Sequence, residues 1–321
     1  MRVVEVARFG APEVLTVVEA PDPVPGPGEV VVDVVAAEVL WVETMIRSGN
    51  GGPYFPVQPP YRPGAGVAGT VTAAGAGVAG DWIGRRVAAA TGDHGGYVER
   101  ALLPAGDLIE LPDGLACTDA AAVLHDGTTA LGLMDVVEIK PGDRVLVTAA
   151  GGGMGALLVQ LAHAAGGRVV AAARGRDKLE RLRRWGAEVV DYATPDWTAS
   201  VAAAVGGLDV VLDGAGGRYG RAAFDLVVPG GRFSAHGTPS GAFAPVDRDA
   251  AAARGITVTG IERVQFPPGR FREYAARALH EVAAGRLTPL IGQTYPLDRA
   301  AEAHTAIENR SAVGKTLLLT S

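Results

Sequence analysis

The residues best placed to do chemistry are a set of glycines followed by a set of cations. Gly151, Gly152, Gly153 and Gly155 follow the apolar run Val145-Leu146-Val147, which suits a buried parallel strand. Glycines there let the backbone turn sharply and approach a pyrophosphate. Met154, Leu157, Leu158 and Leu161 then recur at i, i+3, i+4 and i+7, the buried stripe of a helix. The free N–H groups and positive dipole end of that helix would face the phosphates. The turn reads Ala150-x-Gly152-x-x-Gly155, so its first position departs from the dinucleotide fingerprint. Taken alone the motif also fits an ordinary tight turn with no ligand. The strand–turn–helix–strand context is what selects a dinucleotide. Two further stretches, Gly64-Ala-Gly66-Val-Ala-Gly69 and Gly75-Ala-Gly77-Val-Ala-Gly80, match the pattern letter for letter. Both flank β-like segments and open no helix, so they read as strand and turn glycines.

The cations decide which dinucleotide. An NAD site places an acid on the ribose hydroxyls about 20 residues past the glycines. Here Arg174, Gly175, Arg176 and Lys178 hold that place, and Asp177 reads as the only nearby acid. A carboxylate would repel a 2′-phosphate, whereas Arg offers a bidentate fork and Lys a point charge. The expected cofactor is therefore NADP(H). The competing reading of Arg174–Lys178 is a solvated helix start, which would leave NAD without its acid.

Two scaffolds are needed to position these groups. At 321 residues the chain exceeds the ~250–300 residues that one core usually fills, so two domains are expected. Residues 1–121 are β-rich, with valine runs over 30–35, 67–72, 86–89 and 96–102 separated by Pro and Gly, which suggests a small barrel. From 122 to 285 strands and helices alternate. Strands are expected at 143–149, 168–173, 188–191, 208–213, 230–235 and 256–261, with a helix over 271–285. That alternation implies a doubly wound parallel sheet. Residues 286–321 end in a helix over 300–309 and a strand over 316–319. The net charge of −6 argues against a nucleic-acid surface. No apolar run reaches the ~18–20 residues of a membrane span. The N-terminus alternates like a strand and carries no signal peptide, so a cytoplasmic location is expected. Cys117 stands alone, which excludes disulfides within the chain and any multi-cysteine metal site.

Family marks run along nearly the full length in one order. They are Ala36–Gly49, Pro63-Gly64 with the Gly-rich strand after it, Ala120–Leu131, Ala149–Gly155, Asp191-Tyr192, Asp213–Gly217, and Asn309–Leu319 with its Gly314-Lys315. On these the chain resembles the zinc-independent quinone oxidoreductases of the medium-chain dehydrogenase/reductase superfamily. The resemblance implies an α/β protein: a discontinuous GroES-like β-barrel catalytic domain (1–121 and 286–321) and an inserted Rossmann domain (122–285). It places the active site in the cleft and implies a homodimer, with the edge strand at Ile256–Ile261 as a contact. Gly152, Gly153, Met154 and Gly155 match the pyrophosphate turn. Arg174 and Lys178 match positions that hold the 2′-phosphate, and Tyr192 matches a tyrosine near the adenosine ribose. Thr129 matches a threonine close to the nicotinamide. His236, Gly237 and Thr238 fall where that ring is flanked, and Lys315 belongs to the terminal Gly-Lys signature grouped with the cofactor residues.

A zinc-dependent relative would supply Cys at Leu40, Gly-His-Glu around Ala65–Val67 and four clustered cysteines, and none is present. Hydride transfer is then expected to proceed without a Lewis acid. The acceptor must take hydride readily, as a quinone or an α,β-unsaturated ketone does. The chain also departs from the zinc-free pattern. Leu40 replaces an Asn, Glu43 replaces an Asp, and Ala65-Gly66-Val67 lacks a Glu. With Leu40, Trp41 and Val42 side by side, the pocket floor reads as apolar and the substrate as small and apolar or aromatic, or as bulky and polyketide-like; altered or lost activity fits equally. A hydrogen-bond donor at the substrate oxygen would help. The candidates are Tyr54, His94 and Thr129, with His125 a further one. Tyr54 lies in a Gly/Pro-rich loop where aromatics also serve as packing, His94 also fits a turn, and His125 with Asp126 also fits a purely local bond. His163, His280 and His304 read as structural. Two other functions stay open: an enoyl-thioester or polyketide-intermediate reductase or tailoring enzyme, and a low-turnover NADPH-binding redox sensor or structural protein.

Overall fold

Antiparallel valine-rich strands occupy the two ends of the chain, and a parallel βα alternation fills its middle. The computed structural model describes residues 1–52, 55–92 and 95–320. The chain divides into one unit of Met1–His125 with Phe271–Ser321 and a second of Asp126–Arg270.

In the first unit β1 (Arg2–Val6) and β2 (Leu15–Glu19) form an antiparallel pair. β3 (Glu29–Val39) is buried along most of its length. After it come α1 (Trp41–Arg47), β4 (Gly66–Ala74), β5 (Arg86–Ala90), β6 (Arg100–Pro104) and β7 (Ile109–Glu110). β3 pairs antiparallel with both β4 and β6, so its Val and Ala run meets neighbours along both edges. The first of the two look-alike glycine patterns runs into β4, which takes in its last four residues: a Cβ on Gly69 would sit 2.0 Å from the Asp33 carbonyl oxygen. The expected strand over 96–102 starts only at Arg100. Gly96 and Tyr97 N–H both donate to the Pro63 oxygen, at 2.9 and 3.0 Å, which turns the chain there and leaves Val98 a single bridge to Val3.

α2 (Cys117–Val137) is one continuous helix that runs across the boundary between the units. The second unit continues with β8 (Arg144–Thr148), α3 (Gly153–Ala164), β9 (Arg168–Ala173), α4 (Arg176–Arg183) and β10 (Glu188–Asp191). Next are α5 (Trp197–Val205), β11 (Leu208–Asp213), α6 (Gly217–Asp225), β12 (Val227–Ala235), α7 (Arg248–Ala253) and β13 (Thr257–Gly260). The six strands are all parallel in the order β10-β9-β8-β11-β12-β13. The order reverses between β8 and β11, the doubly wound arrangement expected. Leu146, Val170, Val211 and Phe233 from four of the strands share one core with Trp197, Tyr219 and Phe224.

The chain then returns to the first unit through α8 (Pro268–Ala283), β14 (Ile291–Pro296), α9 (Ala300–Glu308) and β15 (Lys315–Leu319), the last pairing with β3. Both unit boundaries differ from the expected 121/122 and 285/286. The first lies at 125/126, inside the unbroken α2. The second moves to 270/271 because α8 packs on the first unit, with Phe271 against the His125 ring and Arg272 bonded to the Gly106 oxygen. Among the described residues no helix is long and apolar enough to cross a membrane.

Candidate active site

In the second unit the glycine turn connects β8 to α3. The N-cap of α3 is Gly152, which has no side chain to close the helix, so first-turn N–H groups are left for a ligand. A Cβ on Gly155 would lie 2.5 Å from the Ala149 oxygen and 2.7 Å from Ala150 Cα, so only glycine lets the helix start this close to the strand. A Cβ on Gly151 would lie 2.8 Å from Lys178 Cδ, which places the Lys178 stem directly over the turn.

The end of β9 carries an unusual charge arrangement. Arg174 Nη2 donates to Tyr219 Oη at 2.9 Å, and Arg218 Nη2 donates to the same oxygen at 3.0 Å. The Arg174 guanidinium lies 5.8 Å from the ring centres of both Tyr192 and Tyr219, and those rings are 4.8 Å apart. The Arg218 bond, with Arg174 adding to it, holds the Tyr219 hydroxyl below its ordinary value. Arg174 Nε is buried and has no hydrogen-bond partner. Among the described residues no carboxylate pairs with either guanidinium. Asp177 is not the only acid nearby: Asp191 accepts from Gly175 N at 3.4 Å and from Ala193 N at 2.9 Å, so its carboxylate is taken up by the backbone. Two clustered cations, an orphaned buried N–H and a side-chain-free approach fit a dinucleotide with a 2′-phosphate.

The carboxyl ends of β8, β11 and β12 converge on Asp213. Its Oδ1 accepts from Thr148 Oγ1 at 2.6 Å and from Ala215 and Gly216 N at 3.1 Å. Its backbone oxygen accepts from His236 N and Gly237 N, both at 3.1 Å. A Cβ on Gly237 would lie 2.0 Å from the Gly214 oxygen. Burial holds the His236 imidazole down at about 4, so it is neutral at pH 7. Its Nδ1 lies 3.2 Å from Ser234 Oγ, and its Nε2 is buried without a partner. Ligands of open parallel sheets bind outside these strand ends, where the strand order reverses.

The first unit has its own buried charges. Glu38 on β3 is fully buried; its carboxylate accepts from Lys315 Nζ at 2.7 Å and bonds His125 Nδ1. Burial pushes that carboxyl up, but Lys315 and His125 outweigh it and hold it at about 2. Gly66 makes the room: a Cβ there would lie 2.5 Å from Glu38 Oε1 and 3.3 Å from His125 Nδ1. Leu40, Trp41 and Val42 are half-buried at the start of α1. Glu43 instead turns inward. Its Oε2 accepts from Leu40 N and Tyr97 Oη, both at 2.7 Å, while Oε1 is left without a partner. Burial raises this carboxyl to about 7 despite those bonds. His304 Nε2 lies 3.1 Å from Tyr97 Oη, and burial holds that imidazole at about 3, in keeping with a structural role.

Of the expected site residues, Gly152, Gly153, Met154, Gly155, Arg174, Lys178 and Tyr192 gather along the turn and the β9 end, and His236, Gly237 and Thr238 follow β12. Thr129 is half-buried on α2. Tyr54 and His94 lie outside the described residues. Lys315, expected among the cofactor residues, is only 3% exposed and gives its ammonium to Glu38. His125 bonds Glu38, 87 residues away in sequence, where a local bond with Asp126 had been the alternative. The residues that sequence reasoning missed are Glu38, Arg218 and Tyr219. Glu38 left a signal, an acid inside an apolar strand; Arg218 and Tyr219, at the start of a helix, left none.

Comparison with known proteins agrees with both halves. Residues 26–113 match the alcohol dehydrogenase GroES-like domain family, and residues 185–318 match the zinc-binding dehydrogenase family. A quinone oxidoreductase from Sus scrofa is 32% identical, covering 99% of this chain and 98% of the relative. A 2-haloacrylate reductase from a Burkholderia species is 31% identical, with 92% of each covered. The crystal structure of Escherichia coli quinone oxidoreductase complexed with NADPH superposes with a TM-score of 0.89 at 28% identity, covering 99% of this chain and 100% of that one. The chain pairs a GroES-like domain with a Rossmann-like parallel-sheet domain. It belongs to the medium-chain dehydrogenase/reductase superfamily, among its quinone oxidoreductase-like members. Among the described residues no three His, Cys, Asp or Glu side chains gather as a metal site, although one matching family is described as zinc-binding.

Proposed function

We propose that the protein catalyses NADPH-dependent, metal-free hydride transfer to a quinone or an α,β-unsaturated ketone. The cofactor is NADP(H), and the protein is a reductase. The observation that carries the reading is the guanidinium pair of Arg174 and Arg218, held together on Tyr219 without a carboxylate beside the glycine turn. Arg174, Arg218 and Lys178 would hold the 2′-phosphate, with Tyr192 beside the adenosine ribose. Backbone N–H groups of Gly152, Gly153, Met154 and Gly155 would hold the pyrophosphate. His236, Gly237, Thr238 and Thr129 would flank the nicotinamide, with neutral His236 adding no charge against the ring. Bound NADPH supplies the hydride; the protein orients it and excludes water. On the family resemblance Leu40 stands where a zinc relative carries its Cys, so no metal would polarise an isolated carbonyl, and conjugation in the acceptor would activate it instead.

The Burkholderia relative's name, 2-haloacrylate reductase, favours conjugated acceptors in general. An enoyl thioester is the second reading, tested with a pantetheine thioester substrate. A homodimer is proposed through β13, which is an edge strand of its sheet. The decisive experiment is steady-state NADPH oxidation with 9,10-phenanthrenequinone and with a simple enone. Tight NADPH binding with no turnover of either, nor of the pantetheine thioester, would leave only a cofactor-binding protein.

A further inference from the structure

Tyr219 on α6 carries an oxygen that packing does not explain. Its ring lies in the core of the second unit with Trp197 and Phe224, and the residue is only 7% exposed. The core fixes the ring and with it the hydroxyl. A phenylalanine would fill the same space without placing a polar group there.

The hydroxyl oxygen accepts from Arg174 Nη2 at 2.9 Å and from Arg218 Nη2 at 3.0 Å. Its own O–H finds no acceptor among the described residues, although a buried hydroxyl usually donates as well as accepts. Arg174 Nε is a further buried donor without a partner. The charged and titratable groups around the phenol come from three elements. Arg174 follows β9, Arg218 belongs to α6 itself, and the Tyr192 ring, past the end of β10, lies 4.8 Å away. Two cations and two unused donors, with no carboxylate bonded to either guanidinium, complement one anion that offers several oxygens. A phosphate is such an anion.

We propose that Tyr219 selects the 2′-phosphate: its O–H donates to a phosphate oxygen, while its oxygen holds the two guanidinium groups at that same phosphate. The proposal rests on the reading of Arg174 and Arg218 as the 2′-phosphate site. It makes the selection depend on the phenol staying protonated. A phenolate has no proton to give, and it adds a negative charge that repels the phosphate. Arg218, with Arg174 adding to it, holds the hydroxyl below its ordinary value, so it ionises at a lower pH than a free tyrosine. A bound phosphate has the opposite effect, because an added anion favours the neutral phenol.

The test is Tyr219→Phe, which keeps the ring in the core. Fluorescence titration should show the Kd for NADPH rising about 10- to 100-fold, the share of one hydrogen bond to a charged group, with the Kd for NADH unchanged. Wild-type affinity for NADPH should fall as pH rises from about 8 to about 10, and the variant should stay level over that range. A second measurement needs only the wild type: adenosine 2′-phosphate should raise the pH at which one phenolate appears in the ultraviolet spectrum, and adenosine should not. An unchanged Kd for NADPH in the variant, equal weakening of NADPH and NADH, or a phenol whose titration adenosine 2′-phosphate does not move overturns the proposal. Those results leave the NADPH reductase reading intact. Equal weakening of both cofactors by Arg174→Ala overturns the phosphate site itself, and the role of Tyr219 with it.

Discussion

Arg174→Ala is the perturbation that most directly probes the cofactor site. Arg174 is part-buried, and its Nε has no partner within the chain, so a phosphate oxygen reaching it would meet an N–H already stripped of water. A hydrogen bond to a charged group contributes about 1.5–3 kcal/mol, and the planar guanidinium can make two such bonds to one phosphate. Taking about 3 kcal/mol for the part-buried contact, the Kd for NADPH should rise about 100-fold. NADH has no 2′-phosphate, so its Kd should stay where it is. Arg218 is exposed and its charge is screened, so Arg218→Ala should weaken NADPH by only about tenfold. The two effects should not add. Both side chains bond the Tyr219 oxygen, so removing one lets the other relax. Fluorescence titration with NADPH and NADH, at low and high salt, reads all of this. Salt should erode the NADPH preference of the wild type more than that of Arg174→Ala. Equal weakening of NADPH and NADH by Arg174→Ala would refute the assignment, because the residue would then hold something both cofactors share.

Three further outcomes follow from the geometry. Glu43 titrates at about 7 in the fold and at an ordinary 4.5 when unfolded. The folded state therefore holds an extra proton between those values, and stability should fall by about 3 kcal/mol as pH rises through that window. Glu43→Gln keeps an acceptor for Leu40 and Tyr97 and should flatten the difference in urea stability between about pH 5 and about pH 8; an unchanged slope would contradict the buried-carboxyl account. Gly155→Ala forces a Cβ to 2.5 Å from the Ala149 oxygen and should weaken NADPH and NADH alike by at least about tenfold in the same titration, unlike Arg174→Ala. Under the proposed metal-free chemistry, dialysis against EDTA should leave turnover unchanged; loss of activity restored by zinc would overturn it.

The strands of the second unit were legible because each is a short apolar run closed by Gly, Asp or a change of pattern. The expected 168–173, 188–191 and 208–213 match β9, β10 and β11 in full. The glycine turn was legible for a related reason: close backbone approach admits few residue types, and Gly155 has no room for another. What stayed hidden depends on separation along the chain. Arg174 and Tyr219 are 45 residues apart, and Glu38 and Lys315 are 277 apart. No local pattern encodes such pairs, since they exist only once the strands are registered. The contact units divide inside α2 at 125/126, since a break in contacts need not break a helix. Glu43 follows Leu40, Trp41 and Val42, the expected pocket floor. Its position one turn into α1 instead lets its carboxylate fold back onto the Leu40 N–H, a helix-capping role that local reasoning could have reached.

The charges also divide the labour between the two units. In the first, cations meet acids of the chain itself: Lys315 meets Glu38, Arg47 meets Glu308, and Arg2 meets Glu99. Those pairings satisfy the fold with no ligand. In the second, Arg144 pairs with Asp209 and Arg232 with Asp143 at the far ends of the strands. Arg174 and Arg218 at the carboxyl ends are instead held against one phenol. Two like charges so close are unfavourable unless an anion joins them, and a fold stabilised by a few kcal/mol would not favour that arrangement for its own sake. If these cations hold the 2′-phosphate as proposed, specificity for the cofactor can change there without disturbing the scaffold. Arg174, Arg218 and Lys178 can be altered at the rim of one sheet, whereas Glu38 or Lys315 cannot be altered singly without leaving a charge buried and unpaired.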